Sequence, residues 1–291
     1  MGFNELKQKA KDIYFWSKYF NMISRRGFLG LVGALAATAV LGCSSKSVQQ
    51  NVTTTTHAML PKLPWPYKTL DPDHVADLAY ESYMHHHCMY GVVNSVVTAL
   101  GEEVGYPYTT FPTGIAIYGK GGVVGWATLC GALNGAAMVA YLVLPEKQAD
   151  QVINELYAWY QYEPLPNYVP KKPVKADLNP FPKSVANSPL CHVSVTNWCK
   201  KTGYKAFSAE RAERCGRLTA DVAKKLVEIL NAVHEGSFTP KYSLDSRTQS
   251  CRGCHCKGST LQNTRGKMAC WECHTKEGAI RIEDLKNHPK V

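Results

Sequence analysis

No apolar run in this chain has the length and continuity a membrane span requires. The first, Leu29 to Leu41, stops at about thirteen residues and is diluted by Gly and Ala, where roughly 20 are needed. The second, Trp126 to Leu144, is interrupted by Gly131, Asn134 and Gly135 and is followed at once by a charged amphipathic stretch, Glu146 to Tyr162. That pattern reads as a buried core helix rather than a span. Concentrated charge is missing too. Lys and Arg total 33 against 23 Asp and Glu, a net charge of +10, with no basic run, so nucleic acid is not an expected partner. Residues 1–43 hold six of the basic and two of the acidic side chains, which leaves +6 for the rest, a weak balance that fits anionic partners. No nucleophile–base set stands out, which argues against hydrolytic or group-transfer chemistry. Nor does the chain repeat itself, apart from one short motif near its C-terminus.

That motif is the strongest signal present. CRGCH (Cys251 to His255) and CWECH (Cys270 to His274) each place two cysteines three positions apart with a histidine directly after. This is the c-type haem attachment pattern. Each thiol adds to one vinyl group of the porphyrin, and His255 or His274 is then held beneath the macrocycle as proximal iron ligand. The spacing C-x2-C-x15-C-x2-C also suits a four-thiolate zinc ribbon, but zinc leaves both histidines unexplained. Two haem c groups are therefore expected on Cys251, Cys254, Cys270 and Cys273. Cys256 has a role in neither scheme.

The N-terminal 43 residues read as an address. Arg25 and Arg26 precede the short apolar run, the pattern of a twin-arginine export signal, and the small residues before Cys43 make a possible lipoprotein cleavage box. A periplasmic protein is expected, either free or attached to the membrane by a lipidated Cys43. The twin-arginine route moves folded proteins, and haem c is attached after export. A second cofactor inserted in the cytoplasm would account for the route.

Behind the signal, residues 44–70 are Ser/Thr/Gln-rich and then Pro-rich, a tether and an extended arm. A helix is expected from Asp71-Pro72-Asp73 to about Leu100, with Gly101 and Gly105 ending it. Residues 163–190 form a proline-punctuated crossing, and an apolar stripe of Leu218, Val222, Leu226, Ile229 and Val233 marks a last helix pair between about Ala209 and His234. The chain from 237 to 291 shows no periodicity and is expected to be a loop-rich dihaem segment after a helical domain over 71–236. The fold class is mainly α, a helical bundle-like domain.

Two further constellations carry chemistry. The first is YMHHHCMY. On a continuous helix, His85, His86 and His87 fan out at about 100° per residue, so they cannot all serve one iron, but two could serve two. They are the leading distal haem ligands, with His192 and His288 in reserve, His57, His74 and His234 weaker, and Met84, Met89 and Met268 as competitors. The second is the set of scattered thiols Cys88, Cys130, Cys191, Cys199 and Cys215. None forms a local C-x-x-C pair, so a [2Fe-2S] or other iron–sulfur cluster would have to be assembled from separate helices; buried free cysteines or disulfides are the bland alternative.

HHHCMYG, GWATLCGALNG, PLCHVSVTNWC, ERCGRLTADVAKKLVEIL, CRGCHC and GKMACWECHTK together resemble the split-Soret cytochromes c over nearly all of residues 70–280. The domain upstream of the haem motifs is similar to the redox-active family named for its C, GCAxxG, C, C cysteine pattern. The resemblance implies that Cys88, Cys130, Cys191 and Cys215 are its four positions, with Cys199 as an additional candidate. It further implies a homodimer of dihaem electron-transfer chains with bis-histidine irons, haems packed close together, and an iron–sulfur centre. Electron transfer to redox partner proteins is the expected function. A haem-based reductase with an open iron position is the enzymatic alternative, and a zinc-stabilised binding module the structural one.

Overall fold

The computed structural model describes residues 60–274, so Cys43, His57 and His288 lie outside the described residues. The fold is mainly α, with, among the described residues, a single two-stranded pairing of Pro164–Leu165 and Ser184–Val185. The described residues form six α-helices: α1 (Pro72–Val104), α2 (Gly131–Val143), α3 (Glu146–Tyr162), α4 (Cys191–Thr202), α5 (Ala209–His234) and α6 (Ser246–His255). Among the described residues, no helix is long and apolar enough to cross a membrane.

α1 departs most from the sequence reading. Asp71 caps its start by accepting from the Asp73 amide, and Gly105 at φ 80° ends it. Between them, His86 (φ −138°, ψ 22°) and His87 (φ 69°, ψ −167°) leave helical geometry. Asn94 Nδ2 donates to Ser82 Oγ at 3.0 Å, and His74 Nε2 lies 3.3 Å from Glu102 Oε2. In a straight helix these pairs would stand about 18 and about 42 Å apart along the axis. The element is therefore an antiparallel helical hairpin, with arms 72–85 and 88–104 and its turn at His86–His87. The expected fan of three imidazoles around one helix does not exist; they sit exposed at the hairpin tip. Gly91 lets the arms meet, since a Cβ there would stand 3.1 Å from Ala79 O and 3.3 Å from Tyr83 N.

α1 packs on α5 and α2, and α3 closes the other side against α2 and α5. The core between them is apolar and fully enclosed: Val75, Ala79, Val92, Val96 and Leu100 from α1, Leu133, Ala136 and Ala140 from α2, Val152, Leu156 and Tyr160 from α3, and Leu218, Val222, Leu226 and Leu230 from α5. The apolar stretch beginning at Trp126 turns helical only at Gly131, and Trp126 itself is 80 % exposed. The Pro-rich arm docks through buried Trp65, whose amide donates to Leu142 O at 2.8 Å. The helix at 209–234 is a single element, not a pair, capped by Ser208. The segment after 237 is not wholly loop. Asp245 accepts from the Thr248 amide and starts α6, which carries the first haem motif, and a 3-10 turn, Cys270–Glu272, carries the second.

Candidate metal centre and haem attachment segment

Four thiols from four elements line one cavity of about 310 Å³. Cys88 opens the second arm of α1 directly after the His86–His87 turn, Cys130 is the residue that precedes α2, Cys191 begins α4, and Cys215 lies in the second turn of α5. The starts of α2 and α4 are laced together: Leu129 and Leu190 form an antiparallel bridge, Cys130 N donates to Pro189 O, and Cys191 N donates to Thr128 O. Two helix N-termini therefore adjoin the cavity: at α2 the Ala132 and Leu133 amides turn to the Cys130 sulfur, at α4 the first two amides are spent on Thr128 O and Ala127 O, and both helix dipoles favour negative charge there. Gly131 makes room, because a Cβ on it would meet Cys88 Sγ at 2.5 Å.

Burial pushes the Cys88 thiol up to about 12, with Cys130 adding to the effect and N–H bonds from Gly121 and Met89 opposing it. Burial also raises Cys130, against hydrogen bonds from Tyr160 and the Ala132 amide, and raises Cys191. Without metal these three are neutral thiols, and a metal would displace their protons. The four sulfurs surround a space and do not converge on a point: among the described residues, no group of three or more His, Cys, Asp or Glu is arranged to hold a single ion. Four soft donors around a cavity, two helix N-termini and the buried guanidinium of Arg214 fit an anionic polynuclear iron–sulfur group better than one bare cation. Cys199 does not line the cavity; it lies two turns along α4, where its carbonyl accepts from the capping Gly203 amide.

The haem motifs approach each other at Cys251 and Cys270: burial first, then the neighbouring Cys251 thiol, push the Cys270 thiol up. Cys251 and Cys254 share a face of α6, one helical step apart, with Cys254 and Cys273 exposed. His255 Nδ1 lies 2.8 Å from Asn263 Oδ1. With Asn263 as acceptor the ring proton sits on Nδ1 and the lone pair on Nε2, the second-sphere arrangement that orients a ligating imidazole. These features fit covalent haem. The segment is fastened to α3 by Tyr162 to Asp245, by Lys267 to Asn154, and by the Lys241 amide to Glu155. Buried Cys256, without a role on sequence grounds, closes the C-terminus of α6 through its amide to Arg252 O.

His85, His86 and His87 are exposed, and so is His192. His87 also lines the thiol cavity and packs edge-on against Tyr83, and burial, with Lys120 and Arg211 nearby, holds its imidazole below the usual value and in the neutral, ligating form. His74 pairs with Glu102, and His234 packs against Tyr67. Met89 is 0 % exposed within the core and is out of reach of any haem; Met84 packs near Gly216, and Met268 is exposed. Sequence reasoning missed Tyr160, Ser194, Arg211 and Arg214 around the thiols, and Asn263 beside His255. Only their proximity in sequence to Cys191, Cys215 and His255 could have pointed to Ser194, the arginines and Asn263; nothing local marks Tyr160.

Comparison with known proteins adds three findings. Residues 90–229 match the family of redox-active proteins described by the pattern C_GCAxxG_C_C, a match that takes in Cys130, Cys191, Cys199 and Cys215 and begins two residues after Cys88. The chain is 37% identical over 230 residues to the split-Soret cytochrome c of Desulfovibrio desulfuricans, covering 77% of this chain and 82% of that relative. It is likewise similar to a solved structure described as a novel iron centre in the split-Soret cytochrome c from D. desulfuricans ATCC 27774, with a TM-score of 0.69, 38% identity, and coverage of 77% of this chain and 95% of that one.

Proposed function

Because this chain belongs to the split-Soret cytochrome c family and is a redox, electron-transfer cytochrome, we propose that it carries two haem c groups and an iron–sulfur centre as one electron relay. The haems are attached at Cys251 and Cys254 and at Cys270 and Cys273, with His255 and His274 as proximal ligands. The contact between Cys251 and Cys270 supports neighbouring porphyrins. Cys88, Cys130, Cys191 and Cys215 hold the iron–sulfur group, which supplies a one-electron store beside the haems. The observation that carries this reading is the single cavity into which four separate elements bring those thiols.

His85, His86, His87, His192 and His288 are the distal ligand pool. Exposure of the hairpin tip suits ligation across a homodimer, and exposed Trp126 and Phe207 supply apolar surface for association. Export by the twin-arginine route delivers the chain folded and cluster-loaded to the periplasm, where Cys43 anchors it, and acidic redox proteins are its partners.

Visible and EPR spectra of the purified protein, oxidised and reduced, test the proposal together with its mass and non-haem iron content. Two covalent macrocycles, six-coordinate irons and a separate iron–sulfur signal are expected. A reduced form that binds carbon monoxide readily would instead favour a reductase with an open iron position. A colourless protein holding zinc would end the haem reading.

A further inference from the structure

Three cations, Lys120, Arg211 and Arg214, line the cavity, and one of them is enclosed in the core. Arg214 is 1 % exposed. Its Nη2 donates to Ser194 Oγ at 2.8 Å, its Nη1 lies 3.9 Å from Cys215 Sγ, and its Nε, shielded from solvent, has no acceptor. Among the described residues no carboxylate forms an ion pair with it: the neighbouring Glu213 is committed to Arg217, Tyr80 and the Lys175 amide. A guanidinium does not shed its proton, so a buried positive charge persists here without an ion-pair partner.

Arg214 also reaches a second thiol. The Tyr160 hydroxyl donates to Ser194 Oγ at 2.9 Å and lies beside the Cys130 thiol. Ser194 and Tyr160 are both 0 % exposed. Hydroxyl protons turn to suit their surroundings. A deprotonated Cys130 sulfur would reverse that bond, so that the guanidinium donates to Ser194, Ser194 to Tyr160 and Tyr160 to sulfur. One cation thus addresses Cys215 directly and Cys130 through two buried hydroxyls.

We infer that Arg214 is the built-in counter-charge of the group bound by the four thiols, a positioning residue that raises its reduction potential and makes the loaded protein more stable than the empty one. The inference rests on the iron–sulfur reading of the cavity. A thiolate-bound iron group gains one negative charge when it takes one electron, and a fixed cation beside its sulfurs stabilises that more negative state. An anionic occupant also supplies the acceptor that Nε lacks.

The test uses the full haem-loaded protein. In Arg214→Gln the midpoint potential of the non-haem iron centre should fall by at least a tenfold change in its reduction equilibrium, about 59 mV for one electron, with the haem potentials as an unmoved internal reference. Arg214→Lys, which keeps the charge, should retain most of the wild-type value. The second measurement is the melting temperature before and after non-haem iron is stripped with a chelator, the haems staying covalently attached. The gap between the two forms should shrink in Arg214→Gln, because the empty form is relieved of an unpaired buried charge. An arginine with a merely structural role would lower both forms alike. An unmoved potential with an unchanged gap overturns the inference and leaves the iron–sulfur reading standing, whereas wild-type protein without non-haem iron overturns that reading and the inference with it. If Arg214→Gln does not accumulate, Tyr160→Phe decides: cutting the path to Cys130 should lower the potential by a smaller amount, and no shift there overturns the inference.

Discussion

The thiol cavity and the haem segment sit in one compact unit but are built on different terms. Around the cavity, side chains from α1, α3, α4 and α5, with Cys130 just before α2, form walls that are continuous with the protein's own core, where Met89, Leu133 and Tyr160 are fully enclosed. In the haem segment the ligands come from one short helix and one turn. Cys254 and Cys273 are exposed, and among the described residues after 245 only Thr248, Cys256 and Ala269 are buried. We expect a porphyrin to complete that region's core, whereas the cavity's walls belong to the core that the protein builds for itself. Charge follows the same division: every buried charged side chain among the described residues, Glu213, Arg214, Arg217 and Asp221, lies on α5.

The largest expected effect tests this contrast directly. Replacing Cys251 and Cys254 together with Ser should remove one macrocycle, halve the haem absorbance and leave the segment from 246 onward open to proteolysis. The helical part should still melt cooperatively and keep its non-haem iron. The converse change, Cys191→Ser, should keep both haems and lose the iron. Mass, absorbance and iron content check both, and loss of the helical transition in the first variant would break the comparison.

Next in size is Glu213→Ala. Glu213 is 0 % exposed; its Oε1 accepts from Tyr80 and from Arg217 Nε at 2.9 Å, and its Oε2 accepts from the Lys175 amide. Burial would push its carboxyl up, but these donors hold it below the ordinary value. Removing it strands Arg217, which also stacks on Phe181, and frees the 163–190 crossing. The cost should be about 3 to 5 kcal/mol, read from denaturant unfolding, with haem content unchanged.

What the sequence made legible follows the same line. The proposed haem attachment rests on a pattern that is wholly local, two thiols and an imidazole within five positions. α3 was readable because Glu146 to Tyr162 carries its own apolar stripe and ends, and Asp71 and Gly105 mark the limits of α1. The hairpin was not, because neither Gly nor Pro marks His86–His87 and the apolar rhythm runs through both arms. α6 was hidden because a haem motif reads as loop, although Asp245 three residues before Thr248 is a capping signature. The cavity itself depends on the Leu129–Leu190 bridge, a pairing between residues 61 positions apart that no local pattern encodes. Arg214, within ERCGR, looks like surface charge on a helix until the packing of α5 places it inside.

A buried charge with good partners should also leave a pH signature in the helical part. Asp221 accepts from the Asn167 and Tyr168 amides at 2.7 and 2.8 Å, yet burial outweighs them and raises its carboxyl to about 6 from an ordinary 3.8. The folded chain then holds this proton more tightly than the unfolded chain does. Its stabilising effect is present below about pH 4 and is lost as pH rises through about 6. Against Asp221→Asn, wild-type unfolding free energy should fall by about 2 kcal/mol between pH 4 and 7, measured by urea denaturation at each pH. A parallel pair of curves would remove Asp221 as the cause.

The smallest effect sharpens the claim that the protein builds the cavity's walls for itself. At Gly131 an added Cβ would stand 2.5 Å from Cys88 Sγ, 2.5 Å from Gly119 O and 3.2 Å from Met89 N. Two of those neighbours are backbone, and Met89 is fully buried, so the contact cannot be relieved by one side chain swinging aside. Either α2 or the second arm of α1 must shift, at a cost of about 1 to 3 kcal/mol, and Cys88 moves with it. Gly131→Ala should therefore lower non-haem iron occupancy more than its modest loss of stability would suggest, while both haems attach normally. If occupancy stays full, the thiols adapt to their occupant as the haem segment does, and the distinction between a built cavity and a cofactor-completed segment fails at its most direct point.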